Sequence, residues 1–474
     1  MKEMDLRIES DLLGEARIPK DAYWGIHTFR AMANFKFTGQ PVSMQLVRAL
    51  AKVKKACCET NRELGYLDQA VADAISIACD EIISGKFADQ FPVDALQGGA
   101  GTSTNMNINE VIANRALELM GFEKGDYSRC HPLEQVNLHQ STNDVYPTAL
   151  KIAAIEGVRL LSDAIASLQG EFQRKEKQWA SILMVGRTEL QEAVPITLGS
   201  QFSSFADAVA RDRWRTFKCE ERLRVVNIGG TAVGTGLTAP RKYIFLVNEK
   251  LRQVSGYGIT RGENVMAQTA NADVFVEVSG ILSAYSSTLI KVCNDLRLLH
   301  FLKEISIPPF QAGSSVMPGK VNPVILEAVI SAGIQVESNH TTIANCASRG
   351  TFQINEFLPL VAMALLQSLN LLINASKSLA MMVGVTEANS QACNNHAFES
   401  TTLITAFLPY TGYQKAEELV FEFSRNGQKD FRTFLEDRLG AQLVNKVLSP
   451  AALMSLGYKE SIEREIKEQD ADNS

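Results

Sequence analysis

Paired cysteines, clustered histidines, aromatics and surplus positive charge are all scarce in this 474-residue chain, and each scarcity excludes a class of protein. The eight cysteines (Cys57, Cys58, Cys79, Cys130, Cys219, Cys293, Cys346, Cys393) are scattered and form no CxxC pair. That spacing predicts buried free thiols rather than a disulfide framework or a thiolate metal site. The six histidines are equally dispersed, with no HExxH, so no structural metal is expected. With 47 basic and 53 acidic residues the net charge is -6, which argues against nucleic acid or an anionic membrane as partner. The N-terminal residues Met1 to Arg7 are too charged for the apolar region of a signal peptide, and no apolar run is expected to span a membrane. Aromatics make up only 7%, which leaves Ala, Leu, Val, Ile and Met to build the core and favours helices.

What is present is long helical periodicity. The first forty residues look irregular, punctuated by Pro19, Gly25 and Pro41. From Ser43 onward Leu46, Val47, Leu50, Val53 and Ala56 recur at spacings of three and four, the pattern of one helix face. Further helices are predicted over 68–84, 107–121, 147–178, 199–226, 273–299, 323–347, 357–383 and 386–407. Several exceed twenty residues without Pro or Gly, roughly double the average helix length. Strand-like alternation is scarce. A mainly α chain with a central bundle of long antiparallel helices follows, followed by shorter helices and a charged tail (459–474) that is expected to fray. A chain of this length is too long for one ordinary core, so two or three domains are expected.

Four segments break the helical pattern in a common way. Gln311–Pro323 packs Ser314, Ser315, Lys320 and Asn322 among Gly313, Pro318, Gly319 and Pro323. Asn322 has the chemistry of an N-cap and Pro323 that of a first helical residue, so the loop is expected to feed a helix whose positive end faces it. Gln97–Asn107 offers Thr102, Ser103 and Thr104 after three glycines. His139–Pro147 offers Ser141, Thr142 and Asn143, and Gly186–Glu192 offers Thr188 and Glu189. Taken singly, such residues before a helix are ordinary caps. The Gly-rich GGAGTS stretch lacks the lysine spacing and preceding strand of a nucleotide loop. Four such loops together, with one lysine, suit a pocket for a small dicarboxylate.

Within these loops GSSVMPGKVNP (313–323) resembles the signature of the fumarase/aspartase superfamily of lyases. GGAGTSTNMNINE (98–110), QSTNDVYPTA (140–149), GRTELQEAVPITLG (186–199) and GGTAVGTGL (229–237) are similar to its other blocks, in the same order. The stretch 11–35 and KVCNDLRLL (291–299) extend the likeness from about Arg7 to about Lys459. The GGAGTSTNMN, GIHTFRAMANF and QSTND blocks resemble aspartate ammonia-lyases more than fumarases.

The resemblance implies a three-domain fold, with an N-terminal domain over 1–138, the long-helix bundle over 139–397 and a small C-terminal domain over 398–474. It implies anti elimination from a succinyl skeleton to give fumarate, without an organic cofactor, in a cytoplasmic homotetramer whose sites are shared between subunits. Ser314 then corresponds to the general base. Thr102, Ser141, Thr142 and Ser315 correspond to the groups on the β-carboxylate, Thr188, Lys320 and Asn322 to those on the α-carboxylate. Asn143 would lie near the leaving group, and Glu327 matches a supporting glutamate on the helix after the loop.

The chain departs from the family pattern in three places. Position 189, usually His in fumarases and Gln or His in aspartases, is Glu189. A carboxylate near an ammonium group fits an amine-bearing substrate better than malate, and it is also compatible with a related amino dicarboxylate. Leu133 and Glu134 replace the Asn and Asp of a secondary dicarboxylate site, and His139 replaces a small residue. The usual Gly-Pro-Arg element after 299 is missing, leaving His300–Ile305. Fumarate hydratase, or a helical scaffold without activity, are the competing readings.

Overall fold

The computed structural model describes residues 5–458. In chain order its principal elements are β1 (Leu6–Asp11), β2 (Gly14–Pro19), α1 (Ile26–Asn34), α2 (Met44–Glu63), α3 (Gln69–Ile83), α4 (Thr102–Leu119) and α5 (Thr142–Gln178). They continue with β3 (Leu183–Thr188), β4 (Gln191–Thr197), α6 (Leu198–Leu223), α7 (Arg241–Ser255), α8 (Val265–Ala270), α9 (Asp273–Phe301), α10 (Val324–Ala347), α11 (Leu358–Val385) and α12 (Ser390–Glu399). Shorter helices follow to the end of the described chain. The architecture is mainly α, as the periodicity predicts. The expected tail over 459–474 lies outside the described residues.

The chain gathers into two compact units. The first takes residues up to Asp163 together with Trp214–Ser286 and Ala332–Ile373; the second takes Ala164–Arg213, Ser287–Ser331 and Asn374 onward. Helices α5, α6, α9, α10 and α11, of 37, 26, 29, 24 and 28 residues, contribute to both.

In the first unit the predicted α2 face is the buried one: Leu46, Val47, Leu50, Val53 and Ala56 are at most 1% exposed. Ser43 caps this helix, its side chain accepting from the Gln45 amide. The helix packs on α3, α4 and α7. Helix α5 approaches α11 closely at Gly157, where a Cβ would lie 2.8 Å from Leu369 Cδ1. The second unit has an aromatic core in which Phe202 sits among Phe172, Phe205 and Trp179, the Trp179 ring edge-on at 4.6 Å. A separate cluster at the C-terminal end is built on Phe407, Phe423, Phe431 and Phe434. All eight cysteines are buried and free, as expected.

Several expectations need correction. The N-terminal segment is ordered: β1 and β2 form an antiparallel hairpin with Leu6 opposite Pro19 and Asp11 opposite Gly14. The alternation of β1 runs backwards, which is why that strand carries no hydrophobic signal, whereas β2 buries Ala16 and Ile18 in the ordinary way. Arg7 and Glu9 face inward as a 2.8 Å ion pair, while Ile8 is 67% exposed. Helix α4 starts at Thr102, five residues before the predicted start, because its polar residues Thr104, Asn105, Asn107 and Asn109 are buried rather than looped. The helix predicted over 386–407 starts late and breaks at Ser400, whose hydroxyl donates to Glu192 at 2.6 Å and caps a 3-10 turn over Thr401–Phe407. Helix α11 is, by length and composition, apolar enough to cross a membrane, with a mean hydropathy of 1.6 over its most apolar stretch. Two thirds of that stretch (67%) is buried inside the protein, the signature of a core helix.

Candidate active site

In the first unit the predicted hydroxyls sit at two helix N-termini. The backbone before α4 takes three left-handed residues in a row, Gly99 (φ +74°), Ala100 (φ +56°) and Gly101 (φ +93°). Gly101 is required by space as well: a Cβ there would come within 2.4 Å of the Tyr146 ring on α5. The tight approach sets the start of α4, with exposed Thr102, against the first turns of α5. Thr102 donates its hydroxyl to Gly99 O at 2.8 Å. At the start of α5, Ser141 Oγ accepts from the Asn143 amide at 3.2 Å, and Asn143 Nδ2 donates to Ala232 O at 2.7 Å. Thr142 Oγ1 accepts from Asn105 Nδ2 at 3.2 Å, which leaves the threonine proton to be donated elsewhere.

Beneath these hydroxyls lie groups that the sequence reading missed. Asp144 is fully buried and accepts from the amides of Ser141, Gly229 and Thr231 at 2.9–3.1 Å. Burial pushes its carboxyl up to about 6, against the pull of those amides and of Lys54. This carboxylate ties the GGTAVGTGL stretch to the start of α5. Lys54 on α2 is also fully buried and donates to Asn137 Oδ1 (2.8 Å) and Gln140 Oε1 (2.9 Å). Nothing local marked Lys54 in sequence, because a lysine on an amphipathic helix reads as a surface residue.

In the second unit the third predicted loop is a β-hairpin. Strands β3 and β4 pair antiparallel with a bulge between Val185 and Arg187, and Glu189 and Leu190 form the two-residue tip. Both tip residues are left-handed (φ +51° and +63°) although neither is glycine, a conformation that costs energy and holds Glu189 outward. Thr188 and Glu189 are exposed. Glu189 lines a cavity of about 520 Å³ with Gln201, Lys291 and Asp295 among its walls. The hairpin is fastened by Arg187, whose two terminal nitrogens bond the carboxylate of Glu304 at 2.9 and 2.7 Å. Glu304 is fully buried and also meets His396 Nδ1 at 2.9 Å. It stands at the end of the shortened segment that leads toward Ser314.

The Ser314 loop closes on itself. The Ser314 amide donates to Lys320 O at 3.1 Å, and the Lys320 amide to Met317 O at 3.2 Å. Ser314 Oγ accepts from the amides of Val316 (3.1 Å) and Met317 (3.0 Å). Two N–H groups thus converge on this oxygen, an arrangement that lowers the cost of negative charge there. Ser315, Lys320 and Asn322 are exposed. Helix α10 begins at Val324, with Leu326 and Glu327 amides bonding Pro323 O, so Pro323 occupies the cap position expected for Asn322. Glu327, in the first turn, lies 4.0 Å from Arg297. The structure thus groups Thr102, Ser141, Thr142 and Asn143 in one unit and Thr188, Glu189, Ser314, Ser315, Lys320, Asn322 and Glu327 in the other. Among the described residues no group of three or more His, Cys, Asp or Glu is placed to hold a metal ion.

Comparison with known proteins gives consistent likenesses. A family model described as lyase matches residues 14–337. An aspartate ammonia-lyase of a Bacillus species is 42% identical over 454 residues, covering 94% of this chain and 97% of the relative. A solved structure from Brucella melitensis, described as a fumarate lyase:delta crystallin bound to cobalt, superposes with a TM-score of 0.90 at 42% identity, covering 94% and 99% of the two chains. A class II fumarase from Schistosoma mansoni superposes with a TM-score of 0.87 at 29% identity, covering 94% and 98%.

Proposed function

This chain belongs to the lyase family that includes the aspartate ammonia-lyases, and we propose that it is a carbon–nitrogen lyase converting L-aspartate reversibly to fumarate and ammonia. The family acts on aspartate and fumarate, so the substrate is a small dicarboxylate. Removing a proton from carbon beside a carboxylate is difficult because the product is a dianion, and the barrier falls only where preorganised donors meet the new charge.

Ser314 is the base in this reading. Its alkoxide takes the Cβ proton, the electron pair passes into the β-carboxylate to form an aci-carboxylate, and collapse of that dianion breaks the C–N bond and releases the amine. The observation that carries the reading is the pair of amides, Val316 and Met317, donating to Ser314 Oγ. The resemblance assigns Thr102, Ser141, Thr142 and Ser315 to the β-carboxylate, and Thr188, Lys320 and Asn322 to the α-carboxylate. The same resemblance assigns Asn143 and Glu189 to the leaving amine, with Glu327 in support. A carboxylate at position 189 supports ammonium over water as the leaving group. The reading needs no organic cofactor.

The same resemblance supports a homotetramer with shared sites, divided into domains over 1–138, 139–397 and 398–474, working in the cytoplasm. Large apolar side chains exposed on the long helices, Trp214 (65%), Phe301 (79%) and Ile334 (55%), support burial against further subunits. The activity is tested by following fumarate absorbance with and without ammonia. Loss of fumarate only when ammonia is present is the expected result, and loss in the absence of ammonia would instead make the protein a fumarate hydratase.

A further inference from the structure

A lysine with no exposed surface is costly unless its charge is used, because an ammonium loses most of its hydration on burial. Lys54 is 0% exposed, and among the described residues no carboxylate is hydrogen-bonded to it. Its bonds run to two amide oxygens on the short stretch before α5, Asn137 Oδ1 and Gln140 Oε1. Asn137 is the hub of that stretch. Its Oδ1 also accepts from Asn105 Nδ2 and Asn109 Nδ2, both at 3.2 Å, and its Nδ2 donates to Gln140 O at 3.3 Å. Asn105 in turn donates to Thr142 Oγ1. One buried cation is therefore three hydrogen bonds from the Thr142 hydroxyl by one route, and by the other it bonds Gln140, the residue next to Ser141.

We propose that Lys54 is a positioning residue for the carboxylate end of the substrate. Its ammonium fixes the Asn137–Gln140 turn from which Ser141 and Thr142 project, and it sets a buried positive charge beneath the place where the dianion forms. The proposal rests on the reading in which those two hydroxyls hold the β-carboxylate. Several charged or titratable groups face Lys54. They are Cys57 on its own helix, Cys79 on α3 and Asp144 on α5, with Tyr243 of α7 beside Cys57; His139, on the turn itself, bonds Asn61 instead. The thiols and the tyrosine are held neutral by burial, so of these groups Asp144 carries the opposite charge. Burial pushes the Lys54 ammonium down to about 8, which places its loss of charge within reach of a kinetic titration.

The test is the pH dependence of kcat/KM for aspartate in the full-length protein. The wild type should lose activity as pH rises through about 8, where Lys54 gives up its proton. Lys54→Met should remove that alkaline limb and raise KM about tenfold, the size of one charge-assisted interaction. Gln140→Leu keeps the lysine but removes one acceptor, so its limb should move to lower pH; this variant serves even where Lys54→Met fails to fold. A limb that stays in place in both variants overturns the proposal. Thr142→Val separates the two claims. If it raises KM while Lys54→Met and Gln140→Leu change nothing, only the role of Lys54 falls. If Thr142→Val leaves KM unchanged, the assignment of the carboxylate site falls and the proposal falls with it.

Discussion

Gly313→Ala is a one-methyl perturbation whose consequence follows from the geometry of the Ser314 loop. A Cβ built on Gly313 would lie 1.3 Å from the carbonyl oxygen of Lys320 and 2.5 Å from its carbon. Non-bonded carbon and oxygen atoms do not approach closer than about 3 Å, so the Lys320 peptide must retreat by roughly 2 Å. The Ser314 amide bonds that same oxygen at 3.1 Å, and a retreat of this size breaks the bond. One such bond contributes about 1 kcal/mol, too little to unfold the protein. The loop residues around it are exposed, so the melting temperature should stay within about 2 °C of the wild type. Catalysis is more sensitive than stability here. A displacement of about 1 Å in a reacting group can cost on the order of a hundredfold in rate, because the near-attack geometry is lost. The expected result is a kcat for aspartate deamination lowered about a hundredfold, with a folded protein and a smaller change in KM. Steady-state release of fumarate, beside a thermal melt, measures both. A wild-type kcat in the folded variant would refute the claim that the Ser314–Lys320 ring holds the base in its working geometry.

Two further perturbations probe other parts of the account. Glu220 bonds Arg159 and Arg224, and these guanidinium groups hold its carboxyl down at about 2, so its folded pKa lies below the unfolded one. Its contribution to stability is therefore present above about pH 4.5 and is lost as pH falls toward 2. Because both arginines are partly exposed, about 1–2 kcal/mol is expected at pH 7. Urea melts of Glu220→Gln should show that deficit at pH 7 and a smaller one at pH 3, and equal deficits would contradict the assignment. Glu189→Gln removes the charge at the hairpin tip without touching a core contact and restores a residue common in aspartases, so stability should hold while KM for aspartate shifts several-fold; unchanged aspartate kinetics would place Glu189 outside the working site.

The long helices were legible because their signal is local. Residues such as Leu46, Leu50 and Val53 repeat at helical spacing, and the predicted ends of the helices over 199–226, 273–299 and 323–347 fall within three residues of the observed α6, α9 and α10. The first strand of the N-terminal hairpin was illegible because its inward residues, Arg7 and Glu9, are charged and its outward ones, Leu6 and Ile8, apolar. The hairpin at Glu189 read as a loop because its tip uses left-handed residues that are not glycine. The same division holds at the site. The Ser314 loop carries its chemistry in one short stretch, so composition alone exposed its hydroxyls, its lysine and its helix start. Lys54, Asn137 and Asp144 were invisible for the opposite reason. Each has an ordinary local reading, on a helix face, in a turn or at a cap, and only folding brings the three under Ser141 and Thr142.

Ser314 Oγ, held by the Val316 and Met317 amides, is the base of the elimination in this mechanism. The most direct measurement is turnover of aspartate to fumarate by Ser314→Ala, with folding checked by a thermal melt. Because the substitution removes the base and no buried contact, turnover should fall by several orders of magnitude while the melt is unchanged. Wild-type turnover in the folded variant would contradict the account.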